Sequence, residues 1–484
     1  MVFLLGDRVY KIKKPIHTDF LDFRTRHARH DACTRETELG RRLAPDVYLG
    51  VTHLTDPATG HDEPLVVMTR MPEHTRLSTL VHPDNDNDDT GDLVDAIADR
   101  IATFHTTAHR GPHIDTHGTA DAVRTRWLAN LHETRNLHQP LITPDRLDTL
   151  EHLATRYLDG RTALFDRRIT DHRILDGHGD LLSDDIFCLP DGPRILDCLE
   201  FDDHLRYLDG LDDIACLAMD LEHQHRPDLA TRLLTRYTTA THDPAPTSLH
   251  HHYIAYRAFM RAKVDCVRYL QGHPTSATDA RRHTDLAEHH LHHGAVRLAL
   301  VGGLPATGKS TVARALADHT GAALLSSDTI RRELFTDRRH TDPTPGYRAG
   351  RYSPDATDRV YRTLLDRARH HLRQGTSVVL DASFTDARHR HHATDLAAHT
   401  HTDLIALRCT APPDVTTQRL HRRLRVRAAG GDHDSEATVD IARAMTAHTT
   451  PWPDATDLDT TGPDATKTAL AHWNRHHPAT QEEP

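Results

Sequence analysis

Lysine is scarce in this chain of 484 residues, because arginine supplies most of the 59 basic side chains. The six lysines are Lys11, Lys13, Lys14, Lys263, Lys309 and Lys467. The two residue types are not interchangeable, since a lysine ammonium is a compact point charge and an arginine guanidinium is a planar fork. We therefore expect the retained lysines to mark positions where a point charge is needed. Four of the six fall in two short segments, at 11–14 and at 309.

Long apolar runs are also absent, and no stretch approaches the roughly 20 residues that span a bilayer. The first five residues are apolar, but Gly6 and Asp7 follow at once, so this run is too short for a signal-peptide core. The six cysteines include no Cys-x-x-Cys pair, which favours reduced thiols. We therefore expect a cytoplasmic protein that has no membrane partner.

The net charge of the chain indicates which kinds of partner it could bind. A formal net charge of −11 argues against a nucleic-acid footprint over the whole surface, although it leaves a local basic groove open. The 44 histidines are spread from end to end, with runs such as His250–His252. Because metal sites need local spacing, we attribute these histidines to a compositional bias rather than to metal binding. The length predicts two or three domains but no particular oligomeric state.

The strongest motif follows a short apolar run at 297–301. It reads Gly303-Leu304-Pro305-Ala306-Thr307-Gly308-Lys309-Ser310 and fits G-x-x-x-x-G-K-[ST] at every fixed position. Glycines let successive backbone N–H groups surround phosphate oxygens, and the N-terminus of the next helix adds positive potential. We predict that this loop, together with Thr311, binds ATP. Lys309 would reach the β and γ phosphates, and Ser310 would supply a hydroxyl to Mg²⁺.

Short apolar runs alternate with helical segments after Gly294, which predicts a doubly wound parallel sheet. In such sheets ligands bind beyond the carboxyl ends of the strands, where Asp328 and Asp381 lie. We predict that Asp328 accepts a proton from a substrate hydroxyl and that Asp381 holds Mg²⁺ through a water. Helix capping is the alternative role for both. The tail after Thr450 is rich in proline, and we expect it to be mostly irregular.

A helix predicted at 413–427 is rich in arginine. Its candidate lid residues, which would close on the transferring phosphates, include Arg423 and Arg427. A solvated basic face and a nucleic-acid patch are the alternatives.

Over residues 296–455 the chain resembles the P-loop kinases of the AAA type that include zeta-toxin-like and polynucleotide-kinase-like enzymes. The resemblance rests on the phosphate loop, Ser-Ser-Asp-x-x-Arg at 326–331, Asp381-Ala-Ser-Phe, and Ser435-Glu436-Ala437, where relatives have Ser-Asp-Ala. It implies that Asp328 is the catalytic base. It also implies that Arg331 contacts the substrate or a phosphate.

A second constellation lies earlier in the chain. His178-Gly179-Asp180-Leu181 is followed by Asp185 and then by Ile195-Leu196-Asp197. This pattern resembles the aminoglycoside phosphotransferases, whose fold is protein-kinase-like and whose loop His-Gly-Asp-x-x-x-x-Asn precedes a metal-binding Asp. The resemblance implies that Asp180 is catalytic and that Asp185 and Asp197 bind Mg²⁺. Asp185 stands in place of the family's Asn, and Leu182 stands where relatives usually have His.

The same resemblance pairs a lysine, Lys11 or Lys13, with Glu36 to hold the α and β phosphates of ATP. Relative to that family the chain begins at the strand before the lysine, so we expect the preceding nucleotide-covering strand and loop to be missing. Two interpretations stay open: a gene start placed too late, or a domain that binds without phosphorylating.

The order of the two segments resembles a family of bacterial fusion proteins over nearly the whole chain. We expect a phosphotransferase-like α+β domain at 1–278, a linking helix at 279–294 and an α/β P-loop kinase domain at 295–484. The leading hypothesis is MgATP-dependent phosphorylation of a small-molecule hydroxyl by the C-terminal domain. The alternatives are an ATP-sensing regulator with a degenerate N-terminal domain, and a kinase for sugar-like or aminoglycoside-like molecules that acts through the N-terminal domain.

Overall fold

The computed structural model describes residues 1–18, 21–55, 57, 60, 62–82, 89–138, 141–335, 348–428 and 438–475. The chain folds as two compact units. The first unit comprises residues 1–154, 165–245 and 249–291, and the second comprises 155–164, 246–248 and 292–484. Two short segments that interrupt the first unit in sequence, 155–164 and 246–248, therefore belong to the second unit.

The first unit begins with a four-stranded antiparallel sheet in the order β1-β2-β6-β5. The strands of the whole first unit are β1 (Val2–Leu5), β2 (Arg8–Ile12), β3 (His17–Thr18), β4 (Leu21–Asp22), β5 (Tyr48–Thr55), β6 (Asp62–Thr69), β7 (Ile174–Asp176), β8 (Ile186–Leu189), β9 (Gly192–Ile195) and β10 (Tyr207–Asp209). The turn between β1 and β2 uses Gly6 at a φ of +60°, a conformation that glycine adopts without a steric penalty. The pairs β3–β4, β8–β9 and β7–β10 form separate two-stranded ladders.

Helices make up most of the rest of the chain up to residue 293. They are α1 (Arg26–Gly40), α2 (Leu77–Leu80), α3 (Thr90–Thr107), α4 (Pro112–Asp115), α5 (Ala120–Arg135), α6 (Pro144–Gly160), α7 (Thr162–Thr170), α8 (Gly210–His223), α9 (Pro227–Ala240), α10 (Thr247–Leu270) and α11 (Ser276–His293). In α3 the buried Val94, Ile97, Ala98 and Ile101 recur at helical spacing, so one face of the helix packs inward. The segment predicted as a linking helix corresponds to α11.

The second unit contains a five-stranded parallel sheet in the order β12-β13-β11-β14-β15. Its elements are β11 (Arg297–Gly302), α12 (Lys309–Thr320), β12 (Ala323–Ser326), α13 (Ser327–Phe335), α14 (Pro354–Arg373), β13 (Val378–Asp381), α15 (Ala387–His399), β14 (Asp403–Thr410), α16 (Pro413–Ala428), α17 (Val439–Ala447), β15 (Thr456–Asp459) and α18 (Ala465–Trp473). The predicted fold class is confirmed: α+β for the first unit and a doubly wound parallel α/β fold for the second.

The expectation of a mostly irregular C-terminal tail is wrong. Strand β15 forms the fifth strand of the sheet, and α18 packs against the sheet core through Ala465, Ala469 and Trp473. These three side chains are spaced four residues apart, as on one face of a helix. The prolines between Thr450 and Ala465 obscure this helical pattern in the sequence. In β15 the one buried side chain is that of Leu458.

Among the described segments, no helix is both long enough and apolar enough to cross a membrane.

Candidate functional site

The predicted phosphate loop connects β11 to α12 in the second unit. Its backbone is unusual, because Gly303, Ala306 and Gly308 all have positive φ angles, at 142°, 65° and 87°. A side chain at Gly303 would meet the carbonyl oxygen of Cys409 at 2.6 Å, so this position accepts only glycine without a shift of the backbone. The loop therefore curls tightly and leads directly into the first turn of α12, which begins at Lys309.

Two residues outside the loop hold its carbonyl groups. The Thr460 hydroxyl, just after β15, donates to the Thr307 carbonyl at 2.6 Å. The Arg419 guanidinium, on α16, donates to the Ala306 carbonyl at 3.2 Å and to the Thr460 carbonyl at 2.7 Å. These hydrogen bonds hold the loop from its carbonyl groups at Ala306 and Thr307, and so help to fix its shape.

The carboxylates predicted for the second unit lie at neighbouring strand ends. Asp381 is the last residue of β13, and the sheet register pairs it with Val301 of β11 and with Ser326 of β12. Asp328 lies in the first turn of α13, directly after β12. Lys309, Asp328 and Asp381 thus project from the same edge of the sheet, where the strands of an open α/β sheet present their ligand sites.

Asp381 provides a test of whether a divalent cation fits here. Its side chain is buried, and within the described residues its Oδ1 atom has no hydrogen-bond partner. A buried carboxylate oxygen without a partner is costly unless a cation or a water meets it, and Mg²⁺ prefers oxygen ligands. Asp381 and the Ser310 hydroxyl, at the start of α12, therefore fit a magnesium ion.

A cavity of about 230 Å³ opens beside the loop, within the second unit. Lys309, Asp328 and Arg331 all line it, together with Tyr352 and Tyr361. Phosphate-loop and carboxylate groups therefore share one enclosed space, as a phosphoryl donor and an acceptor hydroxyl would require.

The predicted lid arginines are less well defined. Arg423 is half-buried on α16, the helix that also carries Arg419. The side chain of Arg427 and the segment Ser435-Glu436-Ala437 lie outside the described residues. The described contacts make Arg419 a brace for the phosphate loop, whereas the sequence only grouped it with the other arginines of this helix.

In the first unit the His-Gly-Asp loop lies between β7 and β8, and a buried aspartate accepts hydrogen bonds from its backbone. The backbone N–H groups of His178 and Gly179 donate to the two carboxylate oxygens of Asp213, at 2.7 and 2.9 Å. His105 contacts the same carboxylate at 2.9 Å. Burial alone would raise the pKa of Asp213, but these hydrogen bonds outweigh it and hold that pKa well below its usual range.

Both candidate lysines contact Glu36, which is buried on α1. The Glu36 carboxylate lies 2.9 Å from the Lys11 ammonium and 2.6 Å from that of Lys13. Lys11 also pairs with Asp197, and Lys13 also pairs with Glu200. Burial would lower the pKa of Lys11, but the carboxylates of Glu36 and Asp197 raise it well above its usual value. Of the two lysines, Lys11 is therefore the one that meets a predicted metal ligand.

The remaining predicted residues of this site surround Asp197. Asp185 ends a short 3₁₀ turn, and burial, with the nearby charges of Asp197 and Asp180, raises its pKa to about 7. Asp180 lies 3.8 Å from the Arg261 guanidinium. The structure thus brings Lys11, Asp185 and Asp197 together, with Asp180 close enough to act on Asp185 electrostatically.

Several residues that shape these sites were missed by the sequence analysis. Asp213 anchors the His-Gly-Asp loop, and Arg257 donates to the Gly179 carbonyl at 2.6 Å while pairing with Asp212. The adjacent acids of the segment Gly210-Leu-Asp-Asp-Ile are a weak signal for such a role. Thr460 gives none, because it follows a strand that the sequence did not predict.

In the described part of the chain, no group of three or more histidine, cysteine or carboxylate side chains is arranged to hold a metal ion. A cation at either candidate site would therefore take further ligands from a nucleotide or from water.

Residues 298–452 match a family of AAA domains. With the loop and sheet described above, this match defines the second unit as a P-loop nucleotide-binding domain of the AAA type and confirms that prediction.

The whole chain has relatives of similar length. Uncharacterized proteins of Mycobacterium tuberculosis and Mycobacterium bovis are each 46% identical to it over 468 residues, which is 96% of this chain and 91% of theirs. The chain belongs to the same family as these mycobacterial proteins.

Solved structures resemble parts of the chain with low TM-scores. A choline/ethanolamine kinase family protein from Mesorhizobium loti is 16% identical and covers 59% of this chain and 88% of its own, with a TM-score of 0.35. The APS kinase of Mycobacterium tuberculosis is 20% identical and covers 37% of this chain and 96% of its own, with a TM-score of 0.28.

Proposed function

We propose that the second unit is a kinase that transfers the γ-phosphoryl group of ATP to a hydroxyl of a small molecule. The observation that carries this proposal is the cavity lined jointly by Lys309 of the phosphate loop and by Asp328. A hydroxyl bound beside Asp328 would face a phosphate bound beside Lys309. Binding of donor and acceptor in one enclosed space is the main requirement of phosphoryl transfer.

Each reacting group has a role in the proposed step. Asp328 accepts the proton of the acceptor hydroxyl as its oxygen forms a bond to the γ-phosphorus. The bond between that phosphorus and the bridging oxygen breaks, and ADP leaves with the electron pair. Lys309 and the amide groups of residues 303–311 offset the negative charge on the phosphates. Arg331 faces the acceptor, and Arg423 and Arg427 are candidates for the lid.

Ser310 and Asp381 are the residues proposed to hold Mg²⁺ in the second unit. When bound, this ion would offset phosphate charge and orient the nucleotide. The unpartnered Oδ1 atom of Asp381 supports this assignment.

Mass spectrometry of a metabolite extract provides the test. The full-length protein is incubated with the extract, Mg²⁺ and ATP labelled in its γ-phosphate, and the labelled products are recorded. We expect at least one labelled metabolite, which Asp328→Asn should reduce by about 10²-fold or more while ATP binding persists. The exposed Asp318→Asn on α12 is the matched control. Labelling that survives Asp328→Asn unchanged contradicts the proposal, and bound ATP without any product supports the sensor hypothesis instead.

A second candidate function is phosphoryl transfer by the first unit. The observation in its favour is that Lys11 connects Glu36 to Asp197 beside Asp185 and Asp180. In this version Asp185 and Asp197 hold Mg²⁺ and Asp180 orients the acceptor. Asp180→Ala would then abolish the labelled product while Lys309→Ala spared it, the reverse of the result expected for the second unit.

A further inference from the structure

Helix α17 is a short helix of the second unit that lies outside the buried core. Six of its nine residues are apolar, in the sequence Val-Asp-Ile-Ala-Arg-Ala-Met-Thr-Ala, yet none of them is buried. The equally short α18 is different, because its residues Ala465, Ala469 and Trp473 are buried against the sheet. The apolar side chains of α17 are therefore not part of that core, and their position needs a separate explanation.

Two apolar side chains of α17 line the cavity beside the phosphate loop. They are Ile441 and Met445, which are four residues apart and so lie on one face of the helix. Both side chains are half-buried, and the half-buried Tyr352 lines the same cavity. Apolar surface in contact with water is unfavourable, so a ligand that covers this surface gains free energy by doing so. This part of the cavity wall therefore suits a hydrocarbon or aromatic group.

The groups proposed to react belong to the same cavity, since Lys309 and Asp328 also line it. Its volume is about 230 Å³, which is smaller than the roughly 300–1,000 Å³ of pockets for drug-sized ligands. One small molecule therefore fills the space, and it contacts the reacting groups and the apolar face of α17 together.

We propose that the acceptor of the second unit is an amphipathic alcohol, whose hydrocarbon chain or ring packs against Ile441 and Met445 while its hydroxyl faces Asp328. This inference rests on the proposed kinase function and narrows the class of its acceptor. An acceptor with hydroxyls on every carbon would place polar groups against these two side chains and leave them without hydrogen bonds there. Ile441 and Met445 are thus specificity-determining residues, and Asp328 acts on the hydroxyl.

Binding of a homologous series of alcohols tests the proposal. The full-length protein is first saturated with Mg²⁺ and a non-hydrolysable ATP analogue, so that the phosphate loop is occupied. The dissociation constants of 1-butanol, 1-pentanol, 1-hexanol and glycerol are then measured by ligand-observed NMR. Burial of one methylene corresponds to about fourfold in affinity, so we expect the dissociation constant to fall about fourfold from one chain length to the next. Glycerol, which has a hydroxyl on every carbon, should bind more weakly than the three straight-chain alcohols.

Two substitutions on α17 identify the side chains responsible. Ile441→Thr and Met445→Gln keep the approximate size of each side chain and introduce a polar group. In the double variant the change per methylene should shrink to less than about twofold, because the added carbon no longer meets an apolar surface. The matched control is Val439→Thr on the same helix, at a position that is not part of the cavity lining, and it should leave the series unchanged. Binding of the ATP analogue shows that each variant is folded.

The outcomes separate this proposal from the kinase function. Equal affinities along the series, or a rise with chain length that survives the double variant, overturn the amphipathic acceptor while the kinase function stands. Glycerol binding more tightly than 1-hexanol overturns it as well. Failure of the ATP analogue to bind the unmodified protein overturns both proposals.

Discussion

The two units use their lysines in opposite ways. In the second unit Lys309 makes no ion pair within the described residues, and it lines the cavity at the start of α12. In the first unit Lys11 and Lys13 share the buried Glu36 and also contact Asp197 and Glu200. One site leaves its positive charge available, whereas the other neutralises it internally.

This difference indicates how each site could receive a polyphosphate. A cradle of backbone amides with a lysine of its own binds an anion without first breaking an ion pair. A nucleotide in the first unit would have to share Lys11 with Asp197, so its binding would depend more strongly on a divalent cation that takes over Asp197. The P-loop unit is therefore the better candidate for an active centre.

The largest expected effect concerns the stability of the first unit. Glu36 is 1% exposed and its charge is balanced by two lysines, so replacing both as Lys11→Met with Lys13→Met leaves it unpaired. Breaking a buried ion pair by removing one side costs about 3–5 kcal/mol. We expect a loss of this size in the free energy of unfolding, measured by urea denaturation monitored by circular dichroism.

Lys263→Met, which removes an ion pair with the largely exposed Glu133, is the matched control and should cost less than about 1 kcal/mol. A double variant as stable as this control would mean that the contacts of the two lysines with Glu36 do not stabilise the fold. In that case the contrast between the two lysine sites would disappear.

The second prediction compares the lysines directly. Lys309→Ala should weaken ATP binding by about 100-fold, equivalent to about 2.7 kcal/mol, because it removes the cation that meets the β and γ phosphates. Lys11→Ala should change the same affinity less than about threefold, and so should the exposed Lys467→Ala. Fluorescence titration with a labelled ATP analogue measures all three. If Lys11→Ala has the larger effect, the first unit is the principal nucleotide site.

Much of the second unit could be predicted because its signals are local. The phosphate loop is one continuous segment, Asp381 ends a short apolar strand, and Asp328 follows another such strand in the first turn of α13. The helix predicted at 413–427 is α16, at Pro413–Ala428. Patterns of this kind depend on neighbouring residues, so they can be detected without knowledge of the tertiary structure.

The features that escaped prediction depend on contacts between distant segments. Thr460 reaches Thr307 across 153 positions of sequence, and Asp213 meets the amide of His178 across 35. The choice between Lys11 and Lys13 also needed the fold, because both lysines contact Glu36 and only their second partners, Asp197 for Lys11 and Glu200 for Lys13, distinguish them. No periodicity in the sequence carries this information.

The third prediction concerns Arg419, the residue of α16 that holds the phosphate loop of the second unit. Arg419→Ala removes the hydrogen bonds to the carbonyls of Ala306 and Thr460, so the loop should lose part of its preformed shape. We expect ATP binding to weaken by about tenfold, since three charge-assisted hydrogen bonds, including one to the Thr460 hydroxyl, are lost in a part-buried setting. The exposed Arg422→Ala on the same helix should leave the affinity unchanged. Equal losses in both variants would instead point to a general electrostatic effect of α16.

The smallest expected effect concerns the pH dependence of the first unit. The Asp185 carboxyl keeps its proton up to about pH 7 in the folded protein, because burial and the charges of Asp197 and Asp180 raise its pKa from the ordinary value of 3.8. Between these pH values the folded state binds more protons than the unfolded state, so stability falls as the pH rises. Asp185→Asn removes this dependence.

We expect Asp185→Asn to be more stable than the unmodified protein by about 1 kcal/mol at pH 8 and to be nearly equal to it at pH 4. The gain is smaller than the full pKa shift would give, because the Asp197 side chain is 46% exposed and water screens its charge. Urea denaturation at the two pH values measures the difference. Adding Mg²⁺ should reduce it if Asp185 and Asp197 bind the ion together, since a cation stabilises both ionised carboxylates. A difference that is the same at both pH values would mean that Asp185 is ionised throughout, and the first site would then be as open to a cation as the P-loop site is to a phosphate.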